Sequence, residues 1–205
     1  MKRAIGVPKI SAVILFLLIL LVAQAAWPDV TAEIDAEPSL ETGIVAFAVQ
    51  LRLGISVASF AASAPTLQDL RLHAQQLVNL LEGSEGRHYV QAIGTEPAAS
   101  GLLVEAAAWP TRLPETDLEP AARARLFAAA RNVRAYLELA LNVAVSLLNQ
   151  RRFEVASTDM LRIYAYLSAA YEQPIGAAAI PALRTLLRGL GIDELEERLE
   201  SPGRP

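Results

Sequence analysis

The chain holds 205 residues with a formal net charge of −4; 53% are hydrophobic, only 6% aromatic, and none is cysteine. That length can bury a core of its own, while the missing cysteines exclude structural disulfides, a lipoprotein anchor and thioether-bound haem. The acidic balance excludes binding driven by phosphate neutralisation, so nucleic acid is not an expected partner.

The first 25 residues stand apart from the fold. Lys2, Arg3 and Lys9 make a positive start, Ala12 to Ala23 is an unbroken apolar run, and Ala23-Gln24-Ala25 reads as a small-x-small cleavage site. Twelve apolar residues cover about 18 Å as a helix, well short of a hydrocarbon core of about 30 Å. The expectation is a signal peptide over residues 1–25, cleaved near Ala25, with delivery to the periplasm or the exterior. The alternative is an uncleaved membrane anchor over residues 10–27, which must include Ser11 and Gln24. Cleavage leaves 15 basic residues, all arginine, against 22 acidic ones, a net charge of −7.

Residues 26–38 are polar and acidic without periodicity, the composition of a linker. Residues 39–200 then read as one helical domain. Ser39 is the N-cap of a helix to about Ala62, with Phe47, Leu51, Ile55 and Ala58 on one face and Val57 and Phe60 beside it. Gln50 and Arg52 lie near its middle, and a central arginine costs about 2.5–3.5 kcal/mol on insertion, which favours a buried bundle helix over a membrane span.

Pro65 breaks the chain, and Thr66 with Asp69 starts the next helix in the manner of a capping box. Leu70, Leu77, Leu80 and Leu81 form its stripe, Gln68, Arg71 and Gln75 are expected to face away, and Gly83 stops it. Ser84 to Ser100 is expected to be loop. Gly101 to Ala108 is a short apolar helix ended by Trp109-Pro110. Thr116 with Glu119 is a second capping box, and Pro120 sits where its missing N–H costs nothing. The pattern then runs to Gln150, with Leu126, Val133, Leu137, Ala140, Ala144 and Leu148 as the buried stripe.

A helix over 156–172 places Met160, Tyr164, Leu167 and Tyr171 on one face. Short helices follow over Pro181–Gly189 and Glu194–Leu199, and residues 201–205 form a disordered tail. The predicted fold class is all-α: an up-and-down helical bundle of about four main helices plus short C-terminal helices.

The chemistry-bearing residues are few. His73 flanks the leucine stripe of its helix, and Glu85 with His88 makes a Glu-x-x-His string. Imidazole nitrogen and carboxylate oxygen suit a transition metal, so His73, Glu85 and His88 are the candidate metal ligands. A di-iron bundle needs a second such string and further inward glutamates, which the chain does not supply. Neither a nucleophile elbow nor a phosphate loop, dinucleotide fingerprint or zinc-protease motif is present, so no catalytic residue and no cofactor are expected. Trp109, Phe127, Tyr164 and Tyr171 suit an apolar pocket or, more commonly for aromatics at helical spacing, a plain core.

His73, Ala74, Asn79 and Gly83 follow the pattern His-Ala-x-x-apolar-apolar-Asn-apolar-apolar-x-Gly. In this the chain resembles a group of exported bacterial helical proteins of unassigned function, over less than a tenth of its length. The resemblance implies export and a helical fold. An Asp/Gly-rich loop often follows that helix in the group, whereas Arg87 to Ser100 contains no aspartate, so the resemblance carries no ion-binding implication. The expected function is that of an exported, non-enzymatic helical bundle in the cell envelope, binding a protein partner or a small ligand. The alternative is a periplasmic metal-binding bundle.

Overall fold

Local signals start and stop the helices. The computed structural model describes residues 39–93, 100–113, 118–172 and 181–192, which form six helices and no strand. The Ser39 hydroxyl accepts the Thr42 N–H at 3.2 Å and opens α1, Leu40–Ala61. Thr66 Oγ1 accepts the Asp69 N–H at 3.1 Å and donates to Asp69 Oδ2 at 2.6 Å, opening α2, Leu67–Glu82. These two caps satisfy N–H groups that the first turn of a helix leaves without partners. The remaining helices are α3, Leu102–Arg112, α4, Pro120–Leu148, α5, Phe153–Tyr171, and α6, Leu183–Gly189.

The long α4 is the element the others share. Its 29 residues run about 44 Å, and it packs against α2, α3, α5 and α6. Leu126, Ala129, Ala130, Val133, Leu137, Ala140, Ala144 and Leu147 are its buried residues. Leu147 takes the place expected of Leu148, which is only half-buried, because the stripe advances by three rather than four at that end. Each fully buried leucine here contributes on the order of 2 kcal/mol through lost water contact.

α1 lies against α2, α3 and α5. Its inward face is Ile44, Phe47, Ala48, Leu51, Ala58 and Ala61, while Ile55 is half-buried and Phe60 is 62% exposed. By length and composition alone α1 would suffice to cross a membrane.

Two further departures from the expected pattern have clear causes. α3 does not end at Trp109-Pro110 but continues through Pro110 to Arg112. A mid-helix proline costs about 3 kcal/mol, and here the burial of Trp109 and Leu113 on either side holds the helix together. Trp109 packs edge-on against Phe47, with ring centroids 4.4 Å apart. In α5 the buried face is Ala156, Asp159, Met160, Ile163, Leu167 and Ala170. Tyr164 lies one position round from Ile163 and is exposed, which leaves its hydroxyl in water.

Side-chain bonds tie the connections down. The Arg71 guanidinium donates to the Gln150 carbonyl, joining α2 to the turn between α4 and α5. Asn132 Nδ2 donates to the Pro181 carbonyl at 3.0 Å, fixing the approach to α6. The expected leader (1–25), linker (26–38), 194–199 helix and 201–205 tail lie outside the described residues, whereas α4 starts later than the expected capping box, with Glu119 and not Thr116 as its N-cap and no side-chain cap bond.

Candidate functional site

Gln75, Asn79 and Glu82 stand at i, i+4 and i+7 on α2, so they share one face, turned away from the leucine stripe. A polar row of this kind ordinarily faces solvent. Gln75 and Asn79 are instead buried, at 7% and 3% exposure, because the chain after Gly83 returns along that face and covers them.

All three side chains are spent on the backbone of the returning segment. Asn79 Oδ1 accepts the Val90 N–H at 3.0 Å, and its Nδ2 donates back to the Val90 carbonyl at 2.8 Å and also to the Ile93 carbonyl. Gln75 Nε2 donates to the His88 carbonyl at 2.7 Å and to Asn79 Oδ1 at 3.0 Å. Glu82 grips His88 twice, Oε2 accepting its backbone N–H at 2.7 Å and Oε1 its imidazole Nδ1 at 2.7 Å. A carboxylate only accepts, so Nδ1 carries the proton, and in the neutral ring the Nε2 lone pair is the one left for a ligand.

The base of the loop is closed by glycines. Gly83 has φ 74 and ψ −175, a region open essentially to glycine alone, and it bridges to Ser100. A Cβ on Gly83 would stand 2.2 Å from the Gly101 nitrogen, and one on Gly101 2.2 Å from the Glu82 carbonyl carbon. Two backbones therefore touch where α2 ends and α3 begins. Ser100 Oγ then donates to Glu105 Oε1 at 3.0 Å. Burial holds the Glu105 carboxyl above its ordinary value, against the opposing effect of the Ser100 bond.

The sequence-predicted site residues fall in three different surroundings. His73 bonds through Nδ1 to Gln76 Oε1 at 2.9 Å, and its ring meets Phe60 edge-on at 5.6 Å. Glu85 is exposed in the loop, and His88 is held by Glu82. Among the described residues no group of three or more His, Asp or Glu side chains is placed to share a metal ion. His73, Glu85 and His88 are thus not gathered as a three-ligand set. The Glu85–His88 string is not helical, since α2 has already ended. The aromatic residues are likewise dispersed: Trp109 is buried on Phe47, Tyr164 is exposed, and the Tyr171 ring lies under Arg52 at 5.9 Å.

Sequence reasoning missed Gln75, Asn79 and Glu82 as a working set. Periodicity held no signal for them: Asn79 is two residues from both Leu77 and Leu81, which puts it on the side of α2 away from the leucine stripe. No protein-family model, curated protein or solved structure matches this chain.

The amides of Gln75 and Asn79 are committed to the loop's own backbone, and Glu82 is committed to His88. What faces outward is the loop surface, where Ser84, Glu85, Arg87, Val90, Gln91 and Ala92 are exposed.

Proposed function

We propose that the chain is an exported, non-enzymatic helical-bundle protein of the cell envelope whose clamped loop over residues 84–93 recognises a protein partner or a small ligand. The observation that carries this reading is the commitment of Gln75, Asn79 and Glu82 to loop backbone. Ordering a surface loop costs about 1–2 kcal/mol per residue in backbone entropy, and a loop fixed before it binds loses less on binding. Binding residues concentrate on loops held by a rigid scaffold. The commitment of these side chains to loop backbone supports binding over catalysis. The basic start, apolar run and small-x-small site of residues 1–25 support export with cleavage near Ala25. Short connections at 62–66 and 149–152 favour antiparallel neighbours and support an up-and-down arrangement of the long helices.

The test has two arms. Intact mass of protein from the envelope should place the N-terminus at Ala26; a chain beginning at Met1 contradicts cleavage and favours the anchor over residues 10–27. In cross-linking from the envelope fraction, the partner recovered with the wild type should be lost with Glu85→Ala/Arg87→Ala/Gln91→Ala at unchanged helicity. Equal recovery by both proteins contradicts the loop's role.

A metal-binding reading has one specific observation in its favour. A carboxylate on one histidine nitrogen, leaving the other for a metal, is the usual support of a ligating imidazole, and Glu82 on His88 Nδ1 has that form. Zinc titration followed by calorimetry decides it: heat lost in His73→Ala/His88→Ala supports the site, and no heat in the wild type removes it.

A further inference from the structure

We propose that the outward face of α1 is a self-association surface, on which a second copy of this chain packs its own α1 antiparallel. Thr42, Ala46, Val49, Leu53, Ser56 and Phe60 recur at alternating spacings of four and three, and all six are exposed. Val49, Leu53 and Phe60 are 47%, 42% and 62% exposed, so the face leaves apolar surface in water. This spacing is that of a helix–helix seam, and it lies on the side of α1 turned away from the Ile44, Phe47 and Leu51 face that the bundle already buries.

Charge selects the occupant. The seam has no ionisable residue over its whole length, in a chain whose net charge is −4. Of the two charged residues in α1, Glu41 lies off the seam and Arg52 is drawn onto the Tyr171 ring. Helices that lie on bilayers carry lysine and arginine along their polar flank to meet anionic lipid, and α1 offers no such flank. A strongly charged partner would bury its charges against a surface with nothing to pair them. A second copy brings the same uncharged seam, and there two acidic molecules meet with least repulsion.

The side chains also complement one another about a two-fold axis at the level of Leu51. An antiparallel pairing there sets Phe60 opposite the second copy's Thr42, Ser56 opposite its Ala46, and Leu53 opposite its Val49, each contact occurring twice. Large residues meet small ones at the ends, and small pairs between them allow close approach of the axes, about 8–10 Å. Self-complementarity of this kind is what a two-fold interface requires. The 22 residues of α1 run about 33 Å, and two such helices bury on the order of 1,000 Å² in total, at the low end for specific interfaces. An interface of that size belongs with the weak, transient class.

Sedimentation equilibrium of the purified protein tests this across roughly 5 to 500 µM, a range suited to weak, transient association. The apparent mass should rise from monomer towards dimer, and Phe60→Glu or Leu53→Glu, both at exposed positions, should hold the chain monomeric with unchanged helicity. Because the native chain has no cysteine, disulfide trapping reads the orientation directly. Val49→Cys alone should not cross-link, whereas a mixture of Val49→Cys and Leu53→Cys chains should form the mixed disulfide. A wild type that stays monomeric at the top of the range overturns the proposal. So does self-cross-linking of Val49→Cys without the mixed product, which indicates a parallel seam. Binding to neutral phospholipid vesicles that Phe60→Glu abolishes, without self-association, assigns the face to lipid instead and equally overturns it.

Discussion

Asn79 and Val90 bond each other in both directions, the side-chain amide accepting from the Val90 N–H and donating to the Val90 carbonyl. The asparagine thus does for Val90 what a neighbouring strand would do, pairing a backbone unit that has no ladder partner. A buried backbone group must be satisfied somewhere, and in this loop the partner is supplied by a helix side chain.

Replacing Asn79 with alanine strands the Val90 N–H and the Val90 and Ile93 carbonyls. Each such group costs about 1–3 kcal/mol if it stays buried, and partial resolvation of the loop lowers the sum to about 2–4 kcal/mol. Asn79→Asp keeps the acceptor but turns an anion towards two carbonyls, so it should be at least as damaging. Urea denaturation midpoints check both; an Asn79→Ala protein within 0.5 kcal/mol or so of wild type would show that the amide does not carry the loop.

Glu82 holds the near end of the same loop, and Arg87 is the exposed trypsin site inside it. Glu82→Ala frees the His88 N–H and imidazole together. If that lowers the opening cost by about 1.4 kcal/mol, cleavage after Arg87 accelerates about tenfold. Limited proteolysis with mass readout should show early nicking at Arg87 in the variant and slow nicking in the wild type. Equal rates would place the loop's order elsewhere.

The Gly83–Gly101 contact admits no side chain on either residue. Gly83→Ala and Gly101→Ala should each cost about 2–4 kcal/mol, or roughly 5–15 °C in Tm for a domain of this size. Gly83→Asn separates strain from simple handedness. Asparagine tolerates the left-handed helical region but not ψ near 180°, so it should fare no better than alanine.

Glu105 gives a pH signature. Burial raises its folded carboxyl above the ordinary value of 4.5, so the folded state holds the proton more tightly than the unfolded one. Its contribution is therefore most favourable at low pH and is lost as pH climbs from 4.5 through the raised value. Glu105→Gln keeps an acceptor for Ser100 and removes the titration. Stability measured from pH 4 to 7 should show a declining component in wild type that is missing in the variant. Parallel curves would contradict it.

What could be read from the sequence was what neighbours in sequence decide. Ser39, Thr66 and Gly83 mark helix ends through bonds made within four residues, and each sits where expected; Pro120 instead opens α4 as its first residue, behind Glu119 rather than behind a Thr116 cap. The leucine stripe of α2 and most of the α4 stripe follow from periodicity alone. Gln75 defeated that logic, because a glutamine facing away from the apolar stripe looks solvated until a loop thirteen residues on lies over it. His88 was matched with Glu85 by spacing, while its partner is Glu82, six residues back across a glycine turn. Tyr164 and Ile163 differ by one position, and only the direction of the neighbouring helices says which is inside.

Amide hydrogen exchange at Val90 tests the clamp most directly. In the wild type its N–H should be strongly protected despite lying in a surface loop, and Asn79→Ala should abolish that protection while leaving the core amides of α2 and α4 slow. A Val90 amide that exchanges at the unprotected rate in the wild type would contradict the clamp and, with it, the reading of residues 84–93 as a preformed recognition loop.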